Sequence, residues 1–545
     1  MAVQDLSTGG AAPLAEEEQH PSALEPGVLV LTILMSVIGA IIGLQILTTL
    51  GVTPNSAIIG VLIAIVLSRI PIPGFGAFRS IHRQNLVQSN ISSATFGAAN
   101  SLLLPIGIPV LMGMPQLVTP MLIGATMGML IDLAMLYWMF DTRIFAGRNA
   151  WPPGIAAAEA ILAGDKGGKR AGILVGGTVL GLIGAYFGVS MSAFGVAFIG
   201  NIFALTMFGV GLLIRGYTMP VLGIDINPLY VPHGMMIGAG LVALVQVILI
   251  IARRRAQEVN LEASGTSGEL TRSDRDLAQG LAKGFGLYVV AAIILAVIAG
   301  LSNQMSLPML VVWVVFAAVA CVAAEFIVGL SAMHAGWFPA FATALIFLVL
   351  GMLMGFPPVA LGVLVGFVAS GGPAFADAGY DLKAGHYLRQ GMSRRFEMRG
   401  RFQQIIAGLV GLGVAWVMVA LFHGAYFAQD LFPPVDRVYA TTIKAGVDPS
   451  IVQNLIIWAI PGAVIQLLGG PERQMGILLA TGLLIMNPLA GWAVLVGIAI
   501  RVAALRIYGK KAETPLTILG AGCIAGDALY GFFNSVLKAK WTFRF

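Results

Sequence analysis

Eight long apolar runs constrain this chain more than any other feature. Val28–Leu50, Gln116–Phe140, Ala171–Ser190, Gly234–Ile251, Leu281–Gly300, Pro308–Gly329, Phe402–Phe422 and Pro515–Leu537 are each close to the roughly 20 residues that cross a bilayer as helix. With 58% hydrophobic and only 10% charged residues, the chain cannot clothe a water-facing surface, because soluble chains carry about 25% charged residues. The sequence predicts an all-α polytopic membrane protein of about 15 or 16 transmembrane helices, some of them short re-entrant or half-spanning helices.

The runs fall into two halves that echo each other. Leu111-Met112-Gly113-Met114-Pro115 recurs as Leu353-Met354-Gly355-Phe356-Pro357. Glu159–Gly164 is echoed by Tyr380–Gly385, and Gly240–Val245 by Gly491–Val496, in the same order. A period of roughly 220–250 residues is too long for a solenoid and points to paired halves around a central path. The expected organisation is a disordered cytoplasmic tail (1–26), a first transmembrane half (27–255) and a cytoplasmic linker (256–280). A second half (281–511) and a C-terminal helix with its tail (512–545) complete it.

The net charge of +6 calls for no nucleic acid, since the basic residues crowd between spans. Placing Arg69, Arg79, Arg143, Arg148, Arg253–Arg255 and the Lys383–Arg401 cluster inside the cell puts the N-terminus there too, in the plasma or bacterial inner membrane. Phe203–Tyr230 breaks the count: it holds Arg215, Pro220, Asp225 and Pro228, and is expected to be a broken or re-entrant hairpin. Cys321 and Cys523 lie in apolar runs and read as packing residues.

Polar groups inside a membrane are costly and mark functional candidates. The densest set is Asn85, Gln88, Ser89, Ser92 and Ser93, with Asn85, Ser89, Ser92 and Ser93 on one helix face. Such a stripe either joins helices by hydrogen bonds or lines a substrate path. Ser331, His334 and Trp337 occupy the matching place in the second half, and Asn201 is a further path candidate. Glu325, His334 and Asp132 are the candidates for proton coupling, with a structural pair as the alternative for Glu325 and His334. Asp527, among small residues, is expected to make an internal hydrogen bond. Short helices are expected over Pro153–Gly164, carrying Glu159, and over Phe375–Lys383, carrying Asp377 and Asp381. They are either gates or cytoplasmic elbows.

Four segments together carry a resemblance. Trp151-Pro152-Pro153-Gly154 with Ala158-Glu159 and Ala163-Gly164, Asp377–Gly385, Gln84–Ser89 with Ser92-Ser93-Ala94, and Ile524–Leu529 occur in an order that resembles the oligopeptide transporter family, which includes the yellow-stripe-like metal-chelate carriers. Asp527 replaces the family's usual Glu, and Gln84 stands where an acid is common; the chain is nearer the prokaryotic and yellow-stripe-like side. The resemblance implies a proton-coupled secondary carrier of small peptides or peptide-like compounds working by alternating access. The alternative within the family is a carrier of siderophore or nicotianamine-like metal chelates. No cofactor beyond the coupling proton and no directly bound metal is expected; the expected partners are the bilayer and a small-molecule or peptide substrate, and a homo-oligomer is compatible with the sequence. An enzyme is not expected, since neither His-Glu-x-x-His nor Gly-x-Ser-x-Gly occurs, and no catalytic residue is assigned. A channel fits a two-fold repeat less well than a carrier.

Overall fold

A computed structural model describes residues 19–50, 80–166, 168–255, 270–336, 338–446 and 449–538. Helix dominates the described residues, and no strand occurs among them. The first half holds α1 (Pro26–Leu50), α2 (Ile81–Phe96), a π-helix (Gly97–Leu103), α3 (Leu104–Leu111), α4 (Val118–Met139), α5 (Pro152–Lys166), α6 (Gly168–Tyr186), α7 (Met191–Val196), α8 (Ile202–Leu222) and α9 (Val231–Arg255). The second holds α10 (Asp274–Ile298), α11 (Leu307–Ala335), α12 (Ala340–Leu353), α13 (Pro358–Leu388), α14 (Arg394–Ala428), α15 (Pro434–Ala445), α16 (Pro449–Arg473), α17 (Met475–Leu484), α18 (Pro488–Tyr508) and α19 (Glu513–Lys538).

Ten helices among the described residues are long and apolar enough to cross a membrane, and four shorter apolar helices accompany them. The protein is therefore an all-α, multi-pass membrane protein. The tail as far as Glu18, the basic residues Arg69 and Arg79 and most of the linker lie outside the described residues.

The repeated Leu-Met-Gly sequence is a repeated helix stop. Gly113 and Gly355 adopt φ of 81° and 80°, a left-handed conformation that favours glycine. The Met114 and Phe356 amides donate back to the Pro109 and Gly351 carbonyls at 2.8 and 3.2 Å, and the Gly113 and Gly355 amides to Val110 and Met352 at 2.9 and 3.0 Å. Both copies thus close a helix with the same Schellman turn. The helices that follow, α4 and α13, run side by side in the same direction: Met121 packs at Gly366, and Asp132 at Gly371.

α13 is the axis of the molecule. Residues from Ala360 to Gly385 are buried along its length, with α2, α4, α11, α12 and α14 around it. Glycines on α13 admit neighbours closely; a Cβ on Gly372 would lie 3.0 Å from Val328. At the periphery, α6 and α19 cross through paired glycines four apart: Gly177 against Gly522 and Gly181 against Gly526, so close that a Cβ on any of them would collide with backbone. Asp527 beside this crossing accepts a hydrogen bond from the Ser192 amide at 2.9 Å, the expected internal bond. Cys321 and Cys523 are free and buried.

Two expectations are corrected. Phe203–Tyr230 is not a broken hairpin: α8 runs unbroken from Ile202 to Leu222, with Pro220 in its last turn and Gly223 ending it at φ 68°. Arg215 reaches out of the helix to Asp225 in the following loop, 3.3 Å away, which explains how a spanning helix tolerates it. Phe375–Lys383 is not a separate short helix but the buried middle of the 31-residue α13, although its counterpart α5 is short, as expected. Within the Lys383–Arg401 cluster, Lys383, Arg389 and Arg401 are buried, only 3%, 2% and 0% exposed.

Candidate functional site

Two sets of buried carboxyl groups lie along α13. Asp377 and Asp381, one helical turn apart, share a face that meets the polar stripe of α2. Ser92 donates its hydroxyl to Oδ1 of Asp377 at 2.5 Å. The Gln88 amide donates to Oδ1 of Asp381, and Asn85 donates to Gln88 Oε1 at 3.0 Å. Ser93 also bonds Asp381. Gln404 of α14 closes the other side, donating to Ser89 at 3.2 Å and to the Asp381 carbonyl at 2.6 Å. The stripe thus meets a row of acids across from it.

About 9 Å along α13 from Asp377, at Gly371, lies the second set. Asp132 of α4 presses on Gly371, where any side chain would collide with its carboxyl. Tyr288 of α10 donates its hydroxyl to Asp132 Oδ1, and Glu325 of α11 presents its carboxyl to the same aspartate. Both are buried, and neither Glu325 oxygen nor Asp132 Oδ2 meets a donor among the described residues. Two ionised carboxylates are acceptors only, so neither can donate to the other.

Backbone irregularities gather beside the first set. α2 passes into the π-helix Gly97–Leu103, which is wholly buried and carries Asn100 and Ser101. In the second half the chain turns back at Gly336 (φ 69°), and α12 returns along α11 with Phe347 against Phe316. The two irregular points approach each other, since the Phe96 and Phe338 rings are 6.5 Å apart. Phe338 is also 6.5 Å from the Tyr380 ring, whose hydroxyl has no partner among the described residues. Ser and Asn groups, free acceptors and aromatic faces therefore converge where helical backbone is interrupted.

Other candidates stand elsewhere. His334 lies about 13 Å along α11 from Glu325, so the two form no pair. Ser331 contacts Thr481 of α17 at 3.1 Å. Asn201 caps α8, accepting from the Phe203 and Ala204 amides at 3.0 and 3.2 Å, a role that fully explains its side chain. Glu159 on α5 accepts from the Tyr387 hydroxyl at 2.6 Å, beyond the aspartates on α13. Trp337 lies outside the described residues. No group of His, Cys, Asp and Glu placed to hold a metal occurs among the described residues.

Sequence reasoning missed Gln404, Tyr288 and an ionic knot at the end of α13. Glu397 bridges Arg389 and Arg401, each at 2.7 Å, and Arg401 continues to Asp141 at 3.1 Å and Thr271 at 2.7 Å. Arg389 also donates to Gln404 at 2.8 Å, which joins the knot to Asp381. Burial works against the Asp141 charge, but the Thr271 hydrogen bonds and the Arg401 guanidinium hold its carboxyl below the usual range. The available signal was Glu397 four residues before Arg401, an ion-pair spacing on one helix face.

No curated protein matches the chain. The family model described as OPT oligopeptide transporter protein matches residues 228–538, a stretch that contains α10 to α19 and hence Glu325, Asp377 and Asp381. The chain belongs to the OPT oligopeptide transporter family, a family of transporters for oligopeptides and related compounds.

Proposed function

We propose that this protein is a proton-coupled secondary transporter of small peptides or peptide-like compounds that works by alternating access. The observation that carries the reading is the run of four buried carboxyl groups, Asp132, Glu325, Asp377 and Asp381, along about 15 Å of α13. Their direct hydrogen-bond partners are neutral: Tyr288, Gln88, Ser92 and Ser93. Buried charge without a cation is unfavourable, so protons or a cationic cargo must accompany these groups.

The two sets divide the work. Asp132 and Glu325 exchange a coupling proton, since Asp132 Oδ2 and both Glu325 oxygens meet no donor among the described residues. Asp377 and Asp381, with Asn85, Gln88, Ser89, Ser92 and Ser93, receive the cargo. Carboxylates suit a peptide ammonium, and amides and hydroxyls suit its backbone. The π-helix and the Gly336 turn give the site backbone that can rearrange while remaining enclosed by protein. The basic residues at one end of the bundle favour a cytoplasmic N-terminus in the cell membrane.

Uptake of di- to tetrapeptides into proteoliposomes tests the reading. Saturable uptake that collapses when the pH gradient is dissipated is expected. Uptake indifferent to the gradient, or single-channel currents, would exclude it.

A further inference from the structure

Away from the carboxyl groups, a cavity of about 390 Å³ opens at the basic end of the bundle. Arg148, Lys383 and Arg501 line it from three separate segments, with Glu513 as the one acid in its wall. Arg501 spends only Nη1 on protein, donating to the Ala197 and Gly200 carbonyls at 3.1 and 2.6 Å. Its Nε and Nη2 have no protein acceptor among the described residues. The Lys383 ammonium uses one of its three donors on the Gly147 carbonyl at 2.7 Å. Gln390, Thr514 and Thr517 add neutral hydrogen-bonding groups, while Ile155, Phe198 and Leu516 make the remaining wall apolar.

A second cavity, of about 310 Å³, is lined by α5, α6 and α19. It is an apolar groove that includes Ala160, Ala163 and Gly164 of α5, Val175 of α6, and Ala525 and Leu529 of α19. α5 and α19 contribute to both cavities. Along α19, Thr517 of the basic cavity and Ala525 of the groove are about 12 Å apart. Val175 is 59% exposed, so the groove opens on the outer surface of the bundle.

We infer that these two cavities form one site for an anionic phospholipid, its phosphate held by Arg148, Lys383 and Arg501 and an acyl chain laid in the groove. Lys383 and Arg501 keep donors that their protein contacts leave unspent, and basic pockets between membrane helices suit anionic head groups. The adjoining groove selects an amphiphile over a soluble phosphate, because only an acyl chain gains from covering it. The site shares no residue with the carboxyl cluster, and a failed transport assay leaves this inference standing.

Native mass spectrometry of the full-length protein in detergent tests it, with phosphatidylglycerol, phosphatidylcholine and glycerol 3-phosphate as probes. Phosphatidylglycerol should be retained in preference to phosphatidylcholine. Gln390→Glu, an exposed change that adds a negative charge at the rim, should weaken retention about fivefold, and Arg501→Gln at least as much. Ala163→Trp, which fills the groove, should weaken phosphatidylglycerol and leave glycerol 3-phosphate unaffected. Equal retention of the two lipids, or a Gln390→Glu protein that retains phosphatidylglycerol like wild type, overturns the site. Glycerol 3-phosphate binding as tightly as phosphatidylglycerol, with Ala163→Trp affecting neither, assigns the pocket to a soluble phosphate and overturns the lipid.

Discussion

The Ser92 hydroxyl lies 2.5 Å from Oδ1 of Asp377, and that bond joins the polar helix of the first half to the buried axis of the second. Hydrogen bonds to an ionised group contribute about 1.5–3 kcal/mol, so Ser92→Ala should reduce peptide uptake roughly tenfold or more. Asp377→Asn should reduce it further, because it removes the charge itself. Initial rates in proteoliposomes measure both, and an Asp377→Asn protein as active as wild type contradicts the cargo role of this aspartate.

Gly371 is the space that Asp132 occupies. Gly371→Ala should lower thermal stability in detergent by the roughly 1–3 kcal/mol typical of overpacking. Shortening the neighbour should relieve the clash, so Gly371→Ala with Asp132→Ser is expected to recover much of that loss. Equal melting temperatures for the single and double variants would show that the two residues do not compete for space.

Arg401 is the hub of the ionic knot, and its planar guanidinium serves Glu397, Asp141 and Thr271 at once. Arg401→Gln takes the ion-pair partner from buried Asp141, leaves Glu397 paired with Arg389, and should cost about 3–5 kcal/mol. Arg401→Lys should not restore it, because an ammonium cannot match the fork. Thermal unfolding in detergent compares the three proteins, and a Lys variant as stable as wild type argues against a geometric requirement.

Acidification should loosen the contact of His20 with His82 and Phe396, whose ring centroids each lie 5.2 Å from its own. Burial and the nearby Arg389 charge lower His20 from 6.5 to about 4. The unfolded chain therefore takes up a proton near pH 6.5 that the folded chain refuses, and stability falls between about pH 6.5 and 4. Asp141, held below its ordinary value, acts in the same direction at lower pH: its contribution is complete above about pH 4 and is lost as the pH drops through its folded value. Melting temperatures across this range should fall with pH, by an amount on the order of 2 kcal/mol for His20. His20→Asn should flatten the upper part of the curve; an unchanged slope removes His20 as its source.

Much of the fold was legible because lipid leaves few choices. An apolar run of bilayer length becomes a helix, and Gly113 and Gly355 mark the same stop in both halves. The stripe from Asn85 to Ser93 was legible as well, since polar groups at helical spacing are conspicuous in an apolar chain. What it faces was not: the repeat gives Ser331 and His334 the equivalent place in the second half but names no contact, and the structure sets Asp377 and Asp381 against the stripe. Internal repetition relates positions in two halves, but contact depends on how the halves nest. Phe375–Lys383 misled for a different reason. Its Gly379 and two acids read as a short polar segment, yet burial on every side of α13 keeps the helix continuous, from before Pro373 to Leu388. Phe203–Tyr230 misled similarly, since Arg215 escapes the bilayer by reaching Asp225.

The most direct test of the account is Glu325→Gln in proteoliposomes, assayed for both accumulation and exchange. Glutamine fills the same space but carries no exchangeable proton, so uphill peptide accumulation driven by a pH gradient should be lost. Exchange of peptide across the membrane, which needs no net proton movement, should continue. Normal gradient-driven accumulation by the Glu325→Gln protein would contradict the central claim that the Asp132–Glu325 pair couples protons to transport.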